Sequence, residues 1–282
     1  KIPIMKTDQE LKELVKQKYS EIAIQDSLTN KSSCCGAGAC SSEVYNIMSD
    51  SYETLEGYNP DADLGLGCGL PTEFALIKEG DTVVDLGSGA GNDCFVARAY
   101  TGEKGKVIGI DFTPIMIEKA RINAEKRGFN NVEFRLGDIE KLPITANVVD
   151  VVVSNCVLNL VPNKKAVFEE IFRVLKPGGH FSISDVVLIG DLPLELTQEA
   201  EMYAGCVAGA IQKDTYLELI QETGFIDIKI QKQKSILLPD DILKNYLNDE
   251  SLAKFKSSNI GIFSLTVFAQ KPNNCIPGNG CC

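Results

Sequence analysis

The 282-residue chain is long enough for one large domain or for a domain with an appendage. Its net charge of −11 offers no basic face to a phosphate backbone or an anionic bilayer, so neither a nucleic-acid nor a membrane partner is expected. No stretch approaches the roughly 18–20 apolar residues of a membrane helix. The N-terminus lacks the apolar run of a signal peptide, and a cytoplasmic monomer is expected.

Ten cysteines accompany a single histidine, His180. One histidine excludes a His-rich metal site and disfavours a Ser-His or Cys-His pair. It follows KPGG at the head of an apolar run and reads as a strand residue. In a reducing compartment the cysteines stay thiols. They therefore read as groups kept for chemistry or soft-ion capture rather than as a disulfide framework.

In chain order, KIPIMKTDQELKELVKQ is an amphipathic helix carrying Leu11, Leu14 and Val15. SSCCGAGACSS (32–42) holds Cys34, Cys35 and Cys40 with no side chain able to pack a core. LGLGCGLP places Cys68 in a Gly-rich loop. TVVDL (82–86), KVIGID (106–111), NVEFRLGD (131–138), VVDVVVSN (148–155) and HFSISDVV (180–187) are predicted strands. Helices are predicted around 94–100, over 113–128, and over 164–179, the last closed by Pro and Gly. This alternation predicts a parallel α/β sheet covered by helices on both faces. Beyond it the spacing predicts helices in 195–223 and 239–257 and strands over 226–231 and 261–272. NNCIPGNGCC, with Cys275, Cys281 and Cys282, is a Gly/Pro/Asn-rich tail. The expected division is 1–70 for the helix and thiol loops, 71–190 for a ligand-binding sheet, 191–272 for lid helices and further strands, and 273–282 for the tail.

The sharpest motif is VVDLGSGAGNDCFVARA. A strand ends at Asp85, small residues run through Gly87, Ser88, Gly89 and Gly91, and a helix begins. Small residues let a ligand approach the backbone, and the helix supplies free N–H groups. A dinucleotide-binding turn looks similar. Asp85 argues for a cationic ligand such as an amino-acid ammonium, because a carboxylate there repels a pyrophosphate. Asp111 ends the second strand and suits two ribose hydroxyls. Asp138 ends the third and suits an adenine amino group, with Ile139 beside the ring. One such acid is as readily a turn or cap residue; three at successive strand ends are harder to explain that way.

DLGSGAG, GIDFTPIMIEKAR, LGDIEKLP and RVLKPGGHFSISD together resemble the class I S-adenosylmethionine-dependent methyltransferases over Thr82–Val187. The resemblance implies a seven-stranded, mostly parallel Rossmann-like sheet with an antiparallel last strand. It implies S-adenosyl-L-methionine as cofactor. Asp85 and the Gly turn fall on its methionine part, Asp111 on the ribose, Met116 and Ile139 on adenine packing, and Asp138 on the adenine amino group. Phe112 and Asn155 join the expected cofactor set.

Three thiols then fall where an acceptor would sit: Cys68 ahead of the first strand, Cys156 after the fourth, and Cys206 in MYAGCVAGA after the fifth. The ordinary fate of each is a buried small hydrophobe, and that reading is applied fully to Cys94. A ligand of three thiolates is soft and thiophilic. Zinc suits such a set but has no lone pair to take a methyl group; trivalent arsenic has one. GYNPDADLGLGCGLP, SNCVLNLVP and YAGCVAGA resemble the thiol segments of the arsenite methyltransferases, and that resemblance extends over most of the chain. It implies methyl transfer to arsenite or its thiol complexes, giving mono- and dimethylated arsenic for detoxification. Cys40 matches the family's N-terminal cysteine. A Cys40–Cys68 pair is implied as an electron source, with glutathione or thioredoxin as reductant. A methyltransferase for a carbon or oxygen acceptor, and a non-catalytic thiol-metal binder on the same scaffold, remain the alternatives.

Overall fold

The computed structural model describes residues 7–24, 50–197, 209–236, 240–258 and 260–273. Cys34, Cys35, Cys40, Cys206, Cys275, Cys281 and Cys282 lie outside the described residues.

Helix α1 (Asp8–Ile24) and the single turn α2 (Pro71–Phe74) precede the sheet. Then come β1 (Thr82–Leu86), α3 (Asn92–Thr101), β2 (Lys106–Asp111), α4 (Pro114–Lys126), β3 (Val132–Leu136), β4 (Val149–Asn155), α5 (Lys164–Val174) and β5 (Leu175–Ile189). The strand order is β3-β2-β1-β4-β5-β7-β6. β1 to β5 are parallel, and β7 (Gly261–Gln270) runs antiparallel to both β5 and β6 (Ile226–Ile236). This is the expected seven-stranded sheet. Its apolar strands are buried because helices cover both faces. β6 and β7 continue the sheet of β1–β5, so the chain beyond residue 191 is built onto it. The remaining helices are α6 (Leu194–Thr197), α7 (Lys213–Glu222), α8 (Asp240–Leu243) and α9 (Asp249–Ser257).

Local sequence explains the boundaries. Pro114 opens α4 where its missing N–H has no cost, and Gly128 (φ 67°) follows the helix in the left-handed form. Asn163 caps α5 by accepting the Ala166 N–H at 3.0 Å. The helix predicted over 164–179 ends earlier, at Val174. Pro177 could not donate to the next turn, and its ring disfavours helix in the preceding residue. Lys271 instead meets the open end of α5, donating to the carbonyls of Phe172 (2.7 Å) and Leu175 (2.9 Å). The chain from Leu175 is already extended, so β5 starts five residues before the predicted strand. The helical expectation for 239–257 resolves into α8 and α9, the second restarted by Asn248 accepting from Ser251 N at 2.8 Å.

Among the described residues three of the four core clusters surround the sheet, and the fourth, smaller one joins Tyr52, Leu70 and Val96. α5 and α7 pack on one face through Phe168, Ile171, Tyr216 and Ile220. α3 and α4 pack on the other through Phe95, Met116 and Ala120. A third cluster gathers Val15, Cys68, Cys156, Val186, Leu188, Leu196, Leu243 and Leu252 around the ends of β4 and β5. Both described cysteines of the predicted acceptor set lie in this third cluster. No helix of the described residues is long and apolar enough to cross a membrane.

Candidate active site

The turn after β1 shapes the floor of a cleft at the carboxyl edge of the sheet. Gly87 and Gly89 take φ of 69° and 51°, a region costly for residues with a Cβ. The N–H groups of Gly87 and Ser88 both reach the Ile110 carbonyl, at 2.8 and 2.9 Å. A Cβ on Gly89 would meet nothing within 4 Å, so this glycine opens onto the cleft. Gly91 does different work: a Cβ there would strike Phe134, and the residue seats the turn on the core.

The cleft is lined by Gly87, Ser88, Gly89, Asp93, Asp111, Asn155 and Cys156, among others. Asp111 is buried; its carboxylate accepts the Gly89 N–H at 3.0 Å and the Thr113 N–H at 2.8 Å. Burial raises its pKa and these N–H groups pull it back. Each oxygen keeps a second lone pair, so two vicinal hydroxyls remain acceptable partners. The Ser88 hydroxyl is buried with no hydrogen-bond partner among the described residues.

A second cavity adjoins the first, walled by Asp111, Phe112, Asp138, Ile139, Val157 and Leu160. Here α1 supplies two side chains the sequence did not single out. Lys12 Nζ lies 2.6 Å from Asp138 and also bonds Glu140, while Tyr19 lines both cavities. The other Asp138 oxygen accepts the Glu140 N–H at 2.9 Å.

Two expected cofactor residues sit behind the wall. Met116 is fully buried in the core beneath α4. Asp85 is 2 % exposed and lies under the turn, where Cys94 Sγ donates to it at 3.2 Å. Burial, and next the charge of Asp93, hold the Asp85 carboxyl well above its usual range. Cys94 is thus buried as expected, but it is also the partner of a buried acid. Asp93, unlike Asp85, is on the cleft wall. It accepts from Tyr52 Oη (2.8 Å), Thr72 Oγ1 (3.3 Å) and Asn155 Nδ2 (3.4 Å). Burial pushes its pKa up to about 6 against those bonds. An acid in the first turn of the helix after a Gly-rich turn was the available sequence signal.

Cys68 and Cys156 are buried in the same cluster, at 0 % and 4 % exposure. Cys156 lines the cleft and has φ of 61°, left-handed for a residue with a side chain. β5 holds its turn: Cys156 N–H donates to Ser184 O at 2.7 Å, and Asn159 Nδ2 donates to Val186 O at 2.6 Å. The Cys68 N–H donates to Asn155 Oδ1 at 2.9 Å, and its carbonyl accepts from Ser264 Oγ. Nearby, Asp185 and Tyr216 are buried, and both thiols, after burial and Asp185, help push the Tyr216 phenol upward. Cys40 and Cys206 lie outside the described residues, and the described ones form no cluster of three metal-ligating side chains.

Residues 77–224 match the methyltransferase domain family. The arsenite methyltransferase of Halobacterium salinarum is 40 % identical over 281 residues, covering 94 % of this chain and 67 % of that protein. The arsenite methyltransferase of Aquipseudomonas alcaligenes is 34 % identical, covering 90 % and 72 %. Among solved structures, an arsenic(III) S-adenosylmethionine methyltransferase from Chlamydomonas reinhardtii aligns with a TM-score of 0.64 at 31 % identity, over 85 % of this chain and 76 % of that one. With the strand order, Asp111 at the end of β2 and two buried thiols in one cluster already in place, the chain belongs to the arsenite methyltransferase family.

Proposed function

We propose that this protein methylates trivalent arsenic, using S-adenosylmethionine as donor and Cys68, Cys156 and Cys206 as the arsenic ligands. The observation that carries the reading is the position of the thiols. Cys68 and Cys156 share one buried cluster, and Cys156 also lines the cleft beside Asp111 and the Gly turn.

The cleft fits the cofactor: the unpartnered Ser88 hydroxyl, the open face at Gly89 and the spare lone pairs of Asp111 are the groups a ribose and an amino-acid moiety would use. When bound, the cofactor supplies an electrophilic methyl group on a sulfonium. Asp111 would accept the ribose hydroxyls and Asp138 the adenine amino group, and Phe112 and Ile139 would flank the ring. Asp93 on the wall sets a negative potential for the ammonium.

Arsenite enters by exchange. Each thiol replaces one oxygen ligand, its proton leaves with the hydroxide as water, and three As–S bonds replace three As–O bonds. The lone pair stays on the open face of the pyramid. The chain's contribution is proximity and orientation, and no general base is required for the transfer itself. Methylation raises arsenic to the pentavalent state. Cys40, as thiolate, attacks the Cys68 sulfur; the Cys40–Cys68 disulfide forms as the As–S bond to Cys68 breaks, the bonding pair returns arsenic to the trivalent state, and glutathione or thioredoxin reopens the disulfide. In this scheme 71–190 holds the cofactor and supplies Cys156, 1–70 and 191–272 supply the other acceptor thiols, with Lys12 and Tyr19 of 1–70 also bordering the cofactor cavities, the tail 273–282 adds thiols, and a cytoplasmic monomer suffices.

The test is a transfer assay with arsenite, glutathione and labelled S-adenosylmethionine, read by chromatography with elemental mass detection. Mono- and dimethylated arsenic should form and should vanish in Cys156→Ser, while that variant still binds S-adenosylhomocysteine. Methylation of a carbon or oxygen acceptor that survives Cys156→Ser, or cofactor binding with no methylated arsenic, would sink the reading.

A further inference from the structure

We propose that Asn155 is the positioning residue that fixes the two buried thiols relative to each other and couples their geometry to the state of the cofactor cleft. The inference rests on the arsenic reading of those thiols and adds a residue through which the reading works.

Asn155 is the last residue of β4, so its own backbone leads directly into Cys156. Its side chain reaches the other thiol. Oδ1 accepts the N–H groups of Cys68 at 2.9 Å and of Gly69 at 3.3 Å, and Nδ2 donates to Gly69 O at 2.8 Å. One carboxamide therefore provides the pairing that a neighbouring strand would otherwise give this loop. The loop lies flush against it: a Cβ on Gly67 would come within 2.5 Å of Asn155 Nδ2, and one on Gly69 within 2.6 Å of Ser184 Oγ. No longer or bulkier side chain at 155 leaves the Cys68 backbone where it is.

The same side chain faces the cleft, which it lines. Nδ2 also bonds the Tyr52 hydroxyl and lies 3.4 Å from Asp93 Oδ2, and Tyr52 in turn donates to Asp93 at 2.8 Å. Asp93 is the wall acid whose charge a cationic ligand would stabilise. A chain of bonds thus runs from the cleft wall through Tyr52 and Asn155 to the Cys68 backbone. Filling the cleft should tighten the Cys68 loop, and tightening the loop should hold two arsenic ligands at one separation.

A strand-end residue with a purely structural role would affect stability without making Cys68 respond to the cofactor. The experiment uses the full chain and measures the alkylation rate of Cys68 by iodoacetamide, by peptide mass spectrometry, with and without saturating S-adenosylhomocysteine. Buried Cys94 reports on the fold. In the wild type, S-adenosylhomocysteine should slow Cys68 alkylation. In Asn155→Ala, Cys68 should react at least about tenfold faster, the share of one well-made hydrogen bond, and should no longer respond to S-adenosylhomocysteine. Cys94 should stay protected. An Asn155→Ala protein whose Cys68 keeps both its rate and its response overturns the proposal.

Where Asn155→Ala unfolds, Tyr52→Phe decides. It leaves the carboxamide on Cys68 and removes the 2.8 Å bond from Tyr52 to Asp93, keeping only the longer 3.4 Å contact of Asn155 with Asp93, so slow alkylation should persist and the response to S-adenosylhomocysteine should weaken. An unchanged response refutes the coupling through Tyr52. Equilibrium dialysis of arsenite, with and without S-adenosylhomocysteine, gives the matching ligand readout. A wild-type chain that binds no arsenite would sink the substrate reading, while the alkylation result would still decide the role of Asn155.

Discussion

Asp185 should make the protein lose stability as pH rises toward neutrality. It follows Ser184, whose carbonyl receives the Cys156 N–H, and it is 1 % exposed. One carboxyl oxygen accepts the Val186 N–H at 3.0 Å. The other oxygen, and the buried Tyr216 hydroxyl, have no hydrogen bond of good geometry among the described residues. Burial drives the Asp185 pKa up to about 7, opposed by the Lys164 charge and by backbone N–H groups. An unfolded aspartate releases its proton near pH 3.9. Between these values the native state holds a proton that the unfolded state has lost, so stability falls with rising pH across that window and levels off above pH 7. Three pH units at about 1.4 kcal/mol each amount to about 4 kcal/mol. Urea unfolding of the wild type and Asp185→Asn, followed by circular dichroism at pH 5, 6, 7 and 8, isolates this group. Relative to Asp185→Asn, the wild type should lose roughly 2 kcal/mol between pH 5 and 7 and only about 0.3–0.4 kcal/mol more by pH 8. Parallel curves for the two proteins would refute the buried-acid argument.

Lys12→Ala removes the tie between α1 and the Asp138–Glu140 edge of the adenine cavity. The pair is partly exposed, so S-adenosylhomocysteine should dissociate only about two- to fivefold faster, read by stopped-flow displacement, with melting temperature nearly unchanged. Cys94→Val keeps the volume near Asp85 and deletes its donor, which should cost about 1–3 kcal/mol in urea unfolding. Cys94→Ser restores a donor and should recover part of that loss; equal losses for the two variants would show that Cys94 acts through packing alone.

The sheet was legible because its strands are short apolar runs that each end in a turn or an acid, and a parallel sheet buried on both faces demands that pattern. Asp111 was legible for the same reason, since a strand's end fixes where its last side chain can point; Asp138 does not end its strand as expected but lies two residues past Leu136, the end of β3. What the sequence hid depends on contacts between distant segments. Nothing around Lys12 announces Asp138, 126 residues away, and nothing in NDCFV tells Asp93, which takes the cleft wall, from Cys94, which turns back beneath it to Asp85. The end of α5 was misplaced because KPGG was read as the closing turn of a helix, while Pro177 ends the helix before reaching it and Lys271 binds its last carbonyls.

Cys156 shows why local rules fail at such a site. A left-handed backbone costs a residue with a side chain about 1–2 kcal/mol, and glycine there would avoid the cost. Glycine would also remove a thiol from the cleft. The turn keeps its cysteine because the fold restrains it from three sides: Ser184 O takes its N–H, Asn159 ties the following residues to Val186 O, and Asn155 before it is held by the Cys68 loop. The strain and the carboxamide clamp are then parts of one arrangement. Releasing Asn155 should free Cys156 to relax its backbone as well as freeing Cys68, so the two thiols should lose their shared geometry together rather than one at a time.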